Sequence, residues 1–179
     1  MNCWKSININ NRYGNQKIAI LSLLTMLLSF IVIYTGVSTG VDGSTLDDNN
    51  VFPFILGIIL MYPFHKLLHL LPLLCVKSKI KMQKNHYLFF PLLTIKIYDP
   101  IRKSLFILTL ITPFIIFTAL MLIGAVLFPS YIHYSTILLS LHIGMCVSDF
   151  IKLKNILSSP RKCMIEEYED QIQLLIPKP

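Results

Sequence analysis

Charge is scarce in this sequence, and negative charge scarcer still. Asp and Glu number 9 against 16 Lys and Arg, and charged residues make up only 14% of 179. There is one Trp, and no pair of cysteines has the C-x-x-C spacing. So little charge excludes a disordered, self-repelling chain. The absence of C-x-x-C argues against a zinc knuckle or a dithiol redox motif. No basic module with interleaved aromatics is visible, so the surplus of positive charge does not call for a nucleic-acid partner.

What is present instead is apolar sequence in long blocks. Hydrophobic residues reach 54%, and the mean hydropathy is +0.65. Crossing the hydrocarbon core takes about 20 apolar residues in a helix. Four blocks qualify, roughly Ile18 to Val37, Val51 to Val76, Leu105 to Phe128 and Tyr131 to Ile151. Their apolar runs are continuous rather than alternating, which excludes a membrane β-barrel. The fold class expected is an all-α polytopic membrane protein with four transmembrane helices. Residues 1–17 form an N-terminal segment, 18–151 the transmembrane domain and 152–179 a tail. The first block follows a polar segment and lacks a small-x-small cleavage site, so it reads as a retained span rather than a signal peptide.

Lys and Arg in short connections set orientation. The leading segment carries Lys5, Arg12 and Lys17, whereas "STGVDGSTLDDNN" carries Asp42, Asp47 and Asp48 and no base. The second connection carries Lys77, Lys79, Lys81, Lys84, Lys96, Arg102 and Lys103 against Asp99 alone; "PSYIHY" is uncharged; the tail is again basic, with acids interspersed. This pattern places both termini and the middle connection in the cytoplasm, in a multi-pass protein of the cell membrane. The net charge of +7 is then the positive-inside bias, with some attraction to anionic lipid. Cys3, Cys75, Cys146 and Cys163 all fall on or near that reducing side, so no disulfide is expected.

Within the middle connection, Lys79 to Met82 and Thr94 to Tyr98 alternate as strands do. The intervening "HYLFFPLL" is too short to span and reads as an interfacial segment. "CMIEEYEDQIQLLIP" in the tail reads as two short strands about a polar turn, able to pair with that connection. Together these make a small cytoplasmic β element.

Ionisable residues inside spans are costly and are by default functional. The second span holds His65, Lys66 and His69, and the fourth holds His142 and Asp149. His65 and His69 lie four apart on one helix face, and His142 and Asp149 lie two turns apart on another. Catalytic zinc takes three protein ligands and keeps one position open. His65 and His69 supply two, and either Asp149 or His142 the third. His69 lies about 12 Å before the first basic residue after its helix and His65 about 18 Å, at 1.5 Å per residue. His142 lies about 15 Å and Asp149 about 4.5 Å before theirs, so depth alone favours His142. Pro72, which can bend the second helix, keeps Asp149 in play. The plainer alternative is that these groups hydrogen-bond between helices as packing contacts.

These residues resemble a family of bacterial membrane proteins grouped as putative zincin peptidases. The matching parts are "HKLLH", the basic connection to Lys103, "CVSDFIKL" and "SSPRKCMIEEYED", covering roughly Val51 to Ile176. The layout is also similar to the core of site-2-type intramembrane metalloproteases. The resemblance implies His65, His69 and Asp149 as zinc ligands and His142 as a polar group behind them. It also implies a general-base Glu between the histidines, where this chain has Lys66, and a Gly where it has Ser148. A charged Lys66 cannot take a proton from metal-bound water. The reading is therefore a degenerate or non-catalytic zincin-like membrane protein that retains divalent metal and has a membrane-protein substrate or partner. The alternatives are an active metalloprotease with another base, and a bundle that binds haem through His65 or His69 and His142 or carries ions.

Overall fold

The structure, a computed structural model, describes residues 2–8, 13–39, 46, 47, 49, 51–74, 80–87, 90–97, 100–160, 163–168 and 171–176, with 2, 80–87, 90–97 and 168 as backbone. Outside the described residues lie Asp42, Asp48, Cys75, Val76, Leu88, Phe89 and the strand ends Lys79 and Tyr98.

Four helices are long and apolar enough to cross a membrane. They are α1 (Asn15–Ser38), α2 (Val51–Leu74), α3 (Lys103–Leu127) and α4 (Ile132–Leu157). At 1.5 Å per residue each spans roughly 36 Å or more, enough for a hydrocarbon core of about 30 Å. The first three match the sequence blocks within a few residues. The fourth does not stop at Ile151. Lys152 and Lys154 continue the helix, because basic residues leave the bilayer without breaking backbone hydrogen bonding; Pro160 follows shortly after its end.

Helix α4 is central: α1 and α3 pack against it, and α2 packs chiefly on α3. Gly144 sets the closeness of α1. A Cβ there would lie 3.0 Å from the Ser22 carbonyl oxygen and 3.1 Å from Met26 Cβ. Small residues at such crossings let helix backbones approach where lipid supplies no hydrophobic drive. Large apolar side chains such as Leu28, Val32, Phe52 and Val126 face outward, as lipid-facing surfaces do.

The β element is larger than the sequence suggested. Strands β1 (Asn2–Ile7), β4 (Ile101–Arg102), β5 (Met164–Tyr168) and β6 (Gln171–Ile176) form one antiparallel sheet in the order β1-β6-β5-β4. The tail does form the expected hairpin, and β5 pairs with the end of the middle connection, Ile101 opposite Ile165. The N-terminal segment, expected only as a polar leader, supplies β1 beside β6, and the Ser6 hydroxyl donates to Gln171 Oε1 at 2.6 Å. Gly14, at φ +76°, turns the chain into α1 with a backbone that other residues adopt only under strain. A separate hairpin joins β2 (Ile80–Tyr87) to β3 (Phe90–Ile97), with Tyr87 opposite Phe90. The strands therefore run through most of "HYLFFPLL", which the sequence alone reads as an interfacial segment.

The four-stranded sheet closes one end of the bundle. Ile7, Ile101, Ile165, Ile172 and Leu174 pack with Leu73, Phe106, Leu110 and Ile156 from the ends of α2, α3 and α4. Fully burying such a side chain stabilises by roughly 1.5–3 kcal/mol. Lys103 ties the same corner, its ammonium donating to the carbonyl oxygens of Leu157 at 3.2 Å and Ser159 at 2.6 Å. A cation there satisfies the terminal carbonyls of α4 and complements its dipole.

Candidate metal centre

The four residues named from sequence meet in one buried cluster between α2, α3 and α4. His65, His69, His142 and Asp149 are all buried, His142 completely. His65 Nε2 lies 3.1 Å from Asp149 Oδ2 and 3.1 Å from His69 Nε2, and His69 Nε2 lies 3.4 Å from the same carboxylate oxygen. Three donor atoms thus form a nearly equilateral triangle. Tetrahedral coordination at a metal–ligand distance of about 2.0–2.1 Å needs ligand atoms roughly 3.3 Å apart. The triangle has that size, and these atoms can hold a metal ion.

The proton count agrees. The Thr109 carbonyl only accepts, so His69 donates to it from Nδ1 at 2.8 Å, and as a metal ligand, which must be neutral, the ring would turn a bare Nε2 to the centre. Asp149 as a carboxylate also only accepts. Three acceptor positions then share at most one N–H, on His65. A cation in place of that proton satisfies all three, and His65 can carry its N–H on Nδ1 instead, 3.0 Å from His142 Nε2.

His142 therefore stands behind His65 rather than beside Asp149. Sequence depth posed the two as rivals for one position, but they occupy opposite nitrogens of the same ring. His142 is held in turn by Phe117, whose ring stacks on it at 4.0 Å and 12°, and by Cys146, whose sulfur lies 3.7 Å from its Nδ1. The 3.0 Å between His65 Nδ1 and His142 Nε2 is shorter than the haem alternative for that pair calls for. Two imidazoles on opposite sides of an iron stand about 4 Å apart, twice a metal–nitrogen bond of about 2.0 Å.

Two contributors escaped the sequence reading. Thr109 acts through its backbone, and the reason lies one turn on: Pro113 has no N–H, so the Thr109 carbonyl lacks its partner within α3 and is free for His69. A proline four residues after any position in a span is a visible signal of a spare carbonyl. Cys146 was noted only as a reduced thiol, although it follows His142 by one helical turn.

Lys66 does not join the cluster. Its ammonium lies over the Tyr62 ring, 5.8 Å from the centroid. Among the described residues no ion pair links it to Asp149, which is engaged by the two histidines. The carboxylate that touches the histidines, again among the described residues, is Asp149 alone.

No curated protein and no solved structure matches the chain. A family model does: the one described as putative zincin peptidase, over residues 58–164, which takes in α2 from its second turn, the middle connection, α3, α4 and the start of β5. That match covers more than half of the sequence and every residue of the cluster, and the chain belongs to the putative zincin peptidase family.

Proposed function

We propose that this chain is a multi-pass membrane protein that holds one divalent metal, zinc, between His65, His69 and Asp149, and that it is a degenerate, non-catalytic relative of intramembrane metalloproteases. The observation that carries the reading is the donor triangle, 3.1, 3.1 and 3.4 Å on its edges and buried in the spans. Its donor set of two imidazoles and one carboxylate is one that zinc takes.

When bound, zinc in such a site polarises carbonyls and lowers the pKa of water. The residues of this chain do the rest of the work only in part. The Thr109 carbonyl holds the His69 ring at Nδ1, and with Nε2 on a metal His65 would donate from Nδ1 to His142, so both ligand rings would be oriented by hydrogen bonds from behind. Among the described residues no carboxylate stands ready to take a proton from water. Asp149 is already held by two histidines, and the position between them is Lys66, directed at Tyr62. The excess of Lys and Arg on the sheet-bearing side supports cytoplasmic termini. A membrane-protein partner fits a centre so enclosed by helices.

Elemental mass spectrometry of detergent-purified protein tests the metal, and Lys66→Glu tests the chemistry. Near-stoichiometric zinc in the wild type, lost in His65→Ala/His69→Ala, is expected, as is hydrolysis of a transmembrane peptide appearing only in Lys66→Glu. Metal-free wild type overturns the first claim. Histidine-dependent cleavage by the wild type overturns the second.

A further inference from the structure

The ligand cluster has a second side. His65 presents Nε2 to the Asp149 triangle and Nδ1 away from it, and on that far side stand His142 and Cys146. His65, His142 and Cys146 offer one donor atom each within 4.8 Å of one another. His65 Nδ1 and His142 Nε2 are 3.0 Å apart, and Cys146 Sγ lies 3.8 Å from His142 Nε2. All three are buried, Cys146 at 1% exposure and His142 at 0%.

The chemistry of this set differs from that of the first. Asp149 is a hard oxygen donor; Cys146 is a soft sulfur. Two imidazoles and a thiolate suit copper or zinc, and thiolate selects the softer ions. A metal–sulfur bond of about 2.3 Å beside a metal–nitrogen bond of about 2.0 Å places sulfur and nitrogen roughly 3.5 Å apart, close to the 3.8 Å seen. Helix α4 supplies both new donors from one face, one turn apart. Phe117, stacked on His142, fixes the ring from its open side.

We propose that His65, His142 and Cys146 form a second metal site for a thiophilic ion, sharing the His65 ring with the Asp149 site. The second ion binds the thiolate of Cys146, His142 at Nε2 and His65 at Nδ1, and both the thiol proton and the Nδ1 proton of His65 leave to the buffer. With both sites filled the His65 ring bridges two metals as an imidazolate. The two sites are therefore coupled through one side chain, and a soft ion on the Cys146 side alters how firmly His65 is held for the other.

Cobalt(II) titration of the purified full chain tests this, because a thiolate–cobalt charge-transfer band in the near ultraviolet reports sulfur ligation directly. The wild type should take two cobalt ions per chain and develop the band. Cys146→Ser and Cys146→Ala should each take one and show no band, with helical content by circular dichroism unchanged. Asp149→Asn should also take one but keep the band. A wild type that saturates without the band overturns the proposal, as does a band that survives both Cys146 variants or disappears in Asp149→Asn. The proposal and the zinc reading fail separately: a wild type that takes a single cobalt with the band, kept in Asp149→Asn and absent from both Cys146 variants, would remove the Asp149 site while leaving the sulfur site standing.

Discussion

Helices α1 and α4 pack against each other and are nearly equal in length, yet no residue of α1 is buried while α4 buries ten. Both are apolar enough to cross a bilayer. They differ in where their polar groups find partners. In α1, Thr25, Ser29, Thr35 and Ser38 donate to carbonyls of their own helix, so the helix satisfies itself and asks nothing of a neighbour. In α4, Thr136 and Ser140 do the same, but His142 and Asp149 also reach His65 and His69 across the helix boundary. One helix keeps its polar bonds within itself and meets α4 closely at Gly144; the other carries two residues of the candidate site. Hydropathy does not separate the two roles, whereas partnering does.

The largest expected effect breaks the α4 side of that contrast. Asp149→Ala removes one of three donors and leaves two bare imidazole nitrogens facing each other. Metal affinity should fall by at least about 100-fold, since even residues behind a ligand are worth 10–100-fold. Equilibrium dialysis against buffered zinc measures it. A change of less than tenfold would move the ligand role away from Asp149.

Packing should show the same asymmetry. Leu139 on α4 is 2% exposed and Leu28 on α1 is 63% exposed. Leu139→Ala should destabilise by about 2–5 kcal/mol, the cost of a cavity in a packed interior. Leu28→Ala should stay within about 0.5 kcal/mol, since its side chain faces outward from the protein. Unfolding of the two variants in mixed detergent and denaturant compares them. Equal effects would mean that α1 is covered by something other than lipid.

Much of this was legible in the chain and some was not, for physical reasons. The four spans are readable because a bilayer demands about 20 apolar residues whatever the packing. His65 and His69 are readable as a pair because spacing of four fixes a common helix face. The division of labour between His142 and Asp149 is not, because depth along a helix is one coordinate and ring nitrogens point in three dimensions. β1 pairs with β6 across nearly the whole sequence, and no local pattern specifies a partner so distant. Thr109 serves through its carbonyl, which the side-chain identity does not reveal; only Pro113, four residues later, hints at it.

That hint gives a smaller and more specific prediction. Pro113→Ala restores an N–H that competes with His69 for the Thr109 carbonyl. The His69 ring then loses part of what fixes its tautomer, and zinc affinity should fall about tenfold, at the lower edge of such effects. Pro63→Ala serves as the control: Pro63 also lies inside a helix, but the carbonyl it frees is that of Ile59, one and a half turns before His65. It should leave affinity unchanged. If both prolines matter equally, the effect is on helix shape and not on the carbonyl.

The smallest effect lies at the other end of α4. Asp47, in the α1–α2 connection, accepts from the Asn49 backbone N–H at 2.9 Å and from the Tyr131 hydroxyl at 2.9 Å, just ahead of α4. These bonds favour the carboxylate, the Asn49 N–H most of all, and hold the Asp47 pKa below its ordinary 3.8. A carboxyl depressed in the folded state adds stability that is fully present above its unfolded pKa and disappears as pH falls through the folded value. Asp47→Asn should therefore lower Tm slightly at pH 7, and the gap to wild type should narrow steadily below about pH 4. Because the group is exposed to water, the gap is small even at its widest. A gap that stays constant across this range would show that Asp47 fastens α4 by shape alone and not by charge.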